Sequence, residues 1–342
     1  MKRRHLLQAA GASAVFGLYP FGIARAQKKT PFKFNLGWRF EASGAGYFLA
    51  QQRGYYDEAG LDVTIDSGNG STAAISLVAG GAYDAASADL ASMIEFNVQH
   101  PEAGLRAVAM QYDLNPNALI VRKGGPIASP ADFAGKRILG QPFNASRKLF
   151  PVFAKAQGFD PSGVVWENME PGAGDTRFAR GDFDAAAYFY FTGLLNLKAR
   201  GVDLDTLQVY RYSDYGMQSY GNGIIANPAA MARADAMKAF IAASTRGWLD
   251  VIADPIAGGA AVKRKEPLAN EALETERLQL ITTGTMQTQA TAAHGWGAAT
   301  PERVQATIDE TVDAFGLQAG LGVADIWNDA FLPPLEARML RG

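Results

Sequence analysis

A six-residue phrase occurs twice in this chain. Gly81-Ala82-Tyr83-Asp84-Ala85-Ala86 returns as Gly181-Asp182-Phe183-Asp184-Ala185-Ala186. Each copy follows a helix-like stretch and leads into small and apolar residues. The glycine ends a helix, the aromatic ring packs down, and the chain enters a strand. Two copies so far apart imply two lobes of similar α/β build. The cleft between two such lobes is a favoured place for a small ligand.

The bulk numbers agree with two domains. A chain of 342 residues is long for a single core. With 48% hydrophobic and 19% charged residues, its composition is that of a soluble globular protein. The absence of cysteine excludes a disulfide, a thiolate metal site and a cysteine nucleophile. The histidines, His5, His100 and His294, are too scattered to suggest a metal centre, and no cofactor is expected.

The first 26 residues read as a targeting segment. Lys2-Arg3-Arg4 precedes a weakly apolar run from Leu6 to Leu18, and Ala24-Arg25-Ala26 offers small residues for cleavage. The run is too short and too rich in Gly and Ala for a membrane span. Arg3-Arg4-His5-Leu6-Leu7 is similar to a twin-arginine export signal, so the mature chain is expected in the periplasm, cut near Ala26. Cleavage there removes four of 32 basic residues and none of the 34 acidic ones, moving the formal charge from −2 to about −6. Such a chain has no electrostatic footprint for nucleic acid or anionic lipid.

Strand and helix patterns alternate after that. Phe32, Phe34 and Leu36 give the period of a first strand, and Leu61-Asp62-Val63-Thr64-Ile65 a second. The first repeat copy supplies a third strand, with Asp89 placed to cap the helix behind it. Leu105 to Met110 is a fourth. Ala118 to Val121 reads as a crossing strand ending in a hinge, and Gly223 to Pro228 as the return crossing. Between them Lys136 to Gly140, Val164 to Trp166, the second repeat copy and Leu207 to Tyr210 form another βα series. From Ala229 onward the pattern is helical, with Met237, Phe240, Ile241, Ser244 and Trp248 at helical spacing. The expected organisation is therefore 27–120 with 226–342 as one lobe and 121–225 as the other. Each lobe is expected to be a mostly parallel sheet flanked by helices, hinged near Val121 and Ile225.

Several phrases resemble one family. Gly54-Tyr55-Tyr56-Asp57-Glu58-Ala59-Gly60-Leu61-Asp62-Val63 is similar to the G-Y-F-x-x-x-G-L-x-V phrase of solute-binding proteins of bacterial importers. Ser129-Pro130-Ala131-Asp132-Phe133-Ala134-Gly135-Lys136-Arg137-Ile138 is similar to their s-x-x-D-L-x-G-K-x-I phrase, and Gly81-Ala82-Tyr83-Asp84 to their G-x-x-D element. The resemblance spans about Phe32 to Asn227. It is nearest to the branch that binds alkanesulfonates, taurine, nitrate or the pyrimidine precursor of thiamine. It implies a type II two-lobe periplasmic binding protein serving an ABC importer. The implied partners are a small-molecule ligand and an inner-membrane permease with its ATPase, and the chain is expected to act as a monomer. The phrases have structural reasons, since Gly60 and Gly135 supply turns with positive φ between a helix and a strand. They speak for the fold and little for the ligand.

In an open parallel α/β sheet, ligands bind beyond the carboxyl ends of the strands. In the first lobe this rule selects Trp38, Phe40 and Glu41, then Asn69, Gly70, Ser71 and Thr72, then Ser87 and Asp89. In the second it selects Asn144, Ser146 and Arg147, then Tyr188 and Tyr190. Gly70-Ser71-Thr72 and Asn144-Ala145-Ser146 open helices, where free N–H groups can receive an anion or simply be capped. Arg147 can pair with a carboxylate or sulfonate, or face solvent. The rings can stack on a planar ligand, with Tyr188 and Tyr190 expected on one face of a strand. Glu41 can accept hydrogen bonds from an amine or a pyrimidine. The expected ligand is thus a sulfonate, an aromatic carboxylate or a pyrimidine. The alternatives are a pyrimidine-synthase-like enzyme on the same fold and a periplasmic ligand sensor. The resemblance implies that such an enzyme uses a cysteine-rich motif and an active-site histidine, whereas this chain has no cysteine and its first loops, from Trp38 through Ser71, contain no histidine.

Overall fold

The computed structural model describes residues 28–318 and 320–340. The segment read as an export signal lies outside the described residues. Two five-stranded mixed sheets organise the rest. The first is built from β1 (Thr30–Asn35), β2 (Leu61–Asp66), β3 (Ala85–Asp89), β4 (Arg106–Met110) and β10 (Asn222–Ala226). The second contains β5 (Asn117–Arg122), β6 (Arg137–Leu139), β7 (Val165–Glu167), β8 (Ala185–Phe189) and β9 (Leu207–Arg211).

The strand orders, β2-β1-β3-β10-β4 and β7-β6-β8-β5-β9, are the same topology drawn twice. In each sheet one strand runs against the others. It is β10 in the first sheet and β5 in the second, and each is the strand that a crossing delivers. The helices that frame the site are α1 (Ala45–Gln52), α2 (Ser71–Ala79), α3 (Leu90–Gln99), α4 (Phe150–Ala156), α5 (Pro171–Arg180), α6 (Tyr190–Lys198), α7 (Ala234–Ala253), α8 (Glu271–Ile281) and α9 (Pro301–Ala314).

The repeated phrase does the same physical work in both lobes. Gly81 and Gly181 stand just beyond α2 and α5 with φ of 74° and 96°, a conformation that glycine adopts without a Cβ clash. Three residues later an aspartate docks the incoming strand on its neighbour. Asp84 N–H donates to Lys33 O at 2.9 Å while its carboxylate accepts from Lys33 N–H at 2.7 Å. Asp184 N–H donates to Arg137 O at 3.0 Å and its carboxylate accepts from Arg137 N–H at 2.9 Å. The resulting registers match, with Phe34 opposite Ala85 and Ile138 opposite Ala185. Small side chains follow because these strands lie centrally, buried on both faces.

The crossings fall earlier than the sequence suggested. Val121 lies within β5, paired on both sides in the second sheet, and Ile225 lies within β10 in the first. A paired strand interior cannot serve as the hinge. The chain passes between lobes at 111–116 and 216–221, so the second sheet begins at Asn117 and the first resumes at Asn222. The two crossings touch, with Gly221 N–H donating to Tyr112 O at 3.3 Å and Asn115 Nδ2 to Tyr220 O at 3.0 Å.

Helix α7 packs on the first lobe against α1, β1 and β2, while α8 and α9 also touch α6 and α4 of the second. Trp248 is fully buried and stacks near Trp296 at 6.4 Å between ring centres. Helices α1 and α7 approach through paired glycines. A Cβ on Gly46 would lie 2.3 Å from the Trp248 ring, and one on Gly247 would lie 2.1 Å from Gly46 O.

Gly247→Ala tests that close approach. Alanine favours a helix interior by about 1 kcal/mol, whereas overpacking against a backbone oxygen costs about 1–3 kcal/mol or more. We expect net destabilisation of about 2 kcal/mol in a urea titration. A neutral or stabilising outcome would show that the two helices are free to separate.

Candidate functional site

Between the lobes lies a cleft with about 660 Å³ of space free of protein atoms, counting the part open to solvent. Its walls are the carboxyl ends of strands from both sheets, as the topology requires. From the first lobe come Leu36, Gly37 and Trp38 after β1, Glu41 and Ser43 before α1, Gly70 and Ser71 at the start of α2, and Ser87 on β3. The first crossing contributes Tyr112, and the start of β10 contributes Asn222. The second lobe contributes Phe143, Asn144 and Ala145, then Tyr188 and Phe189 at the end of β8, and Thr192 on α6.

The lobes are in contact around this cleft. At the mouth, Phe143 lies against Gly70, where an added Cβ would stand 3.2 Å from the Phe143 ring. Gly70 also holds φ at 99°, so both space and conformation favour glycine there. At the rim, Lys148 Nζ donates to Glu95 at 2.6 Å. At the floor, Thr192 Oγ1 donates to Glu41 Oε1 at 2.7 Å.

Of the residues singled out by sequence, Trp38, Glu41, Gly70, Ser71, Ser87, Asn144 and Tyr188 meet at the cleft. The others do not line it. Phe40 packs edge-on against Phe48 at 5.7 Å and beneath Lys265. Asn69 is exposed, and Thr72 stands one residue beyond the part of α2 that reaches the cleft. Asp89 is fully buried and caps α3, accepting from Ser92 N–H at 2.8 Å. Ser146 is also buried, with its Oγ 2.6 Å from both Asn117 Oδ1 and Tyr188 O.

Arg147 turns away, donating to Gly140 O at 2.8 Å and Asn168 Oδ1 at 2.5 Å, with its guanidinium over Trp166. Tyr190 does not share a face with Tyr188, because β8 ends at Phe189 and α6 begins at Tyr190. The change from strand to helix breaks the two-residue alternation. The Tyr190 hydroxyl donates to Leu280 O at 2.5 Å instead.

The residues that the sequence did not single out have an explanation too. Tyr112 lies on the first crossing and Asn222 just after the second, and only the assembled fold brings them to the cleft. Phe189 and Thr192 follow the end of β8 in sequence, where an aromatic cluster was the available signal.

The chemistry of the lining is uneven. Trp38, Tyr112, Phe143, Tyr188 and Phe189 supply rings, and no Lys, Arg or His is among the lining residues. Glu41 is the acidic group there. Burial pushes its carboxyl above the ordinary range; Arg277 opposes this and Glu274 reinforces it. Arg277 sits behind the wall. It binds Glu274 through both oxygens at 3.1 and 3.2 Å and also donates to the carbonyls of Phe191 and Thr192.

Asn222 donates to Ser87 Oγ at 3.2 Å, and Ser87 in turn donates to Gln111 Oε1 at 2.6 Å. Asn222 Oδ1 is buried without a hydrogen-bond partner. A buried acceptor left unpaired costs about 1–3 kcal/mol. Among the described residues no cluster of three or more His, Asp and Glu could hold a metal ion, and no helix is long and apolar enough to cross a membrane.

Known proteins share this architecture. Residues 42–257, more than half of the chain, match a family model described as NMT1/THI5 like. A protein from Bordetella bronchiseptica RB50 is 19% identical with a TM-score of 0.69, covering 89% of this chain and 96% of its own. The periplasmic nitrate-binding protein NrtA from Synechocystis PCC 6803 is 13% identical with a TM-score of 0.67, at 90% and 88% coverage. The alkanesulfonate-binding protein SsuA from Xanthomonas axonopodis pv. citri is 14% identical with a TM-score of 0.66, at 88% and 98%. At these identities the likeness shows the two-lobe fold of periplasmic binding proteins of ABC import systems. No curated protein matches the chain.

Asp89 gives a pH signature. Burial raises its carboxyl from 3.8 to about 6, so between those values the folded state holds a proton that the unfolded chain releases. Its favourable contribution is therefore complete below pH 3.8 and is lost as pH rises through about 6. Asp89→Asn keeps a cap acceptor and removes the buried charge. The variant should be more stable than the parent by about 1–3 kcal/mol at pH 7.5, with the difference vanishing near pH 4, read from melting curves across pH. A difference that stays constant with pH would refute this account.

Proposed function

The chain belongs to the NMT1/THI5-like family, and from that premise we propose that it is an exported binding protein for a planar heteroaromatic solute bearing N–H or amino donors. In this reading the solute is held between the lobes and presented to an inner-membrane ABC permease and its ATPase. The observation that carries the ligand class is the pairing of Glu41 with a lining that has no basic side chain. Rings on opposite walls suit a flat body. The Glu41 carboxylate suits a donor at its edge.

Sulfonate and nitrate fit this lining less well. Arg147, the cation that sequence offered for an anion, faces away. Without it, the charged group among the lining residues is Glu41, which repels an anion, although Arg277 at 4.0 Å behind the wall offsets part of that charge. The structural neighbours named for sulfonate and nitrate therefore support a binding role without fixing the same ligand.

A panel of aminopyrimidines, other heteroaromatic amines, alkanesulfonates, aromatic carboxylates and nitrate tests this reading. Donor-bearing heterocycles should raise the melting temperature and bind in calorimetry. Glu41→Gln should weaken that binding by about 10- to 100-fold with little change in melting temperature without ligand. Tighter binding of a sulfonate or nitrate than of every heterocycle would overturn the ligand class. Turnover of a bound heterocycle would turn the reading toward an enzyme.

Export has its own check. Protein recovered from the periplasm should begin near Gln27, and recovery only as the uncut chain in the cytoplasm would defeat the exported role.

A further inference from the structure

The two crossings share a partner that the ligand reading does not use. Arg303, near the start of α9, reaches both of them. Its Nη1 donates to Asp113 Oδ1 at 2.6 Å and its Nη2 to Asp113 O, on the first crossing. Its Nε donates to Gln218 O at 2.9 Å, on the second. The guanidinium lies over the Tyr220 ring at 4.1 Å.

One side chain thus spans both links, and little of it is exposed. Two turns further along α9, Glu310 accepts from Gln218 N–H at 2.9 Å and from Ser219 N–H at 3.0 Å, and from the Ser219 hydroxyl at 2.5 Å. Thr307 Oγ1 accepts from Tyr220 N–H at 3.2 Å between them. On its other sides α9 packs against α3 of the first lobe and α4 of the second.

Rotation of one lobe against the other must twist residues 111–116 and 216–221, since these carry the chain between the sheets. Each crossing is held to α9 by charge-assisted hydrogen bonds, which are among the stronger ones. The lobes cannot swing apart unless α9 follows or those bonds break. We propose that α9 is a clasp on the hinge, and that Arg303 and Glu310 are positioning residues that bias the protein toward the closed arrangement before any ligand arrives.

The consequence is thermodynamic. A protein whose closed form is already populated loses less apparent affinity to reorganisation, so the clasp would tune binding from outside the cleft. Neither residue lines the cleft. The inference rests on the two-lobe reading above and is independent of which ligand is bound.

The chain has no cysteine, so a label pair can be placed without background. Leu77→Cys on α2 and Val165→Cys on β7 mark the two lobes at exposed positions. The full mature chain is spin-labelled at both sites, and the distance distribution is measured without ligand. Replacing Arg303 by Met should enlarge the longer-distance population at least about fivefold relative to the labelled parent. Glu310→Gln should shift it the same way by less.

Circular dichroism and melting curves identify any variant that fails to fold. If Arg303→Met is one of these, Glu310→Gln decides alone. Distributions that superimpose on the parent, in folded variants, overturn the clasp. That result would leave solute binding standing, and a solute panel that finds no ligand would leave the clasp standing.

Discussion

The structure depends on how the central strand of each sheet is docked. Asp84 and Asp184 exchange a pair of hydrogen bonds with the backbones of Lys33 and Arg137, and so fix the register in which β3 joins β1 and β8 joins β6. A slip of one residue would turn every side chain of a strand to the opposite face. With the register set, the carboxyl ends of β3 and β8 arrive at the cleft from opposite lobes. Ser87 and Tyr188 then face the same space although they lie in separate sheets. The chemistry of the cleft follows from that placement.

The cleft is defined as much by what is kept out of it as by what lines it. Arg39, Arg147 and Arg277 are nearby cations that could have met an anion, and Arg39 lies over the Trp38 ring, near enough to lower the Glu41 pKa. Arg147 is held by Gly140, Asn168 and the face of Trp166, while Arg277 is surrounded by Glu274 and two backbone carbonyls. Glu41 is left facing the cavity, bonded across the lobes to Thr192 and raised in pKa chiefly by burial. The same residue therefore belongs to the ligand wall and to the contact that closes the lobes. The crossings beneath it are tied to α9, so floor, hinge and C-terminal helix form one connected unit.

Much of this was legible in the sequence because it rests on local rules. The repeated phrase carries its own helix stop and strand start, and Gly60 and Gly135 adopt the positive φ that their turns need, at 74° and 73°. Asp89 was recognisable as a cap from its position alone. The site was legible in part. Trp38, Glu41, Gly70, Ser71, Ser87, Asn144 and Tyr188 were reachable through the strand-end rule. Arg147 and Tyr190 were misplaced because their direction depends on partners far away in sequence, Asn168 and Leu280. Tyr112 and Asn222 carry no local mark at all.

By itself, the sequence determined the element order, the two-fold use of one α/β plan and the residue types available at the strand ends. Those follow from periodicity, glycine conformation and capping, which act over a few residues. The tertiary structure decided which side chains share the cleft, which charges are neutralised behind it and where the chain bends between lobes. Those outcomes depend on contacts between segments separated by tens to hundreds of residues, such as Glu41 with Thr192 and Asp113 with Arg303. No local pattern encodes them, because each side chain turns toward the partner that burial leaves available.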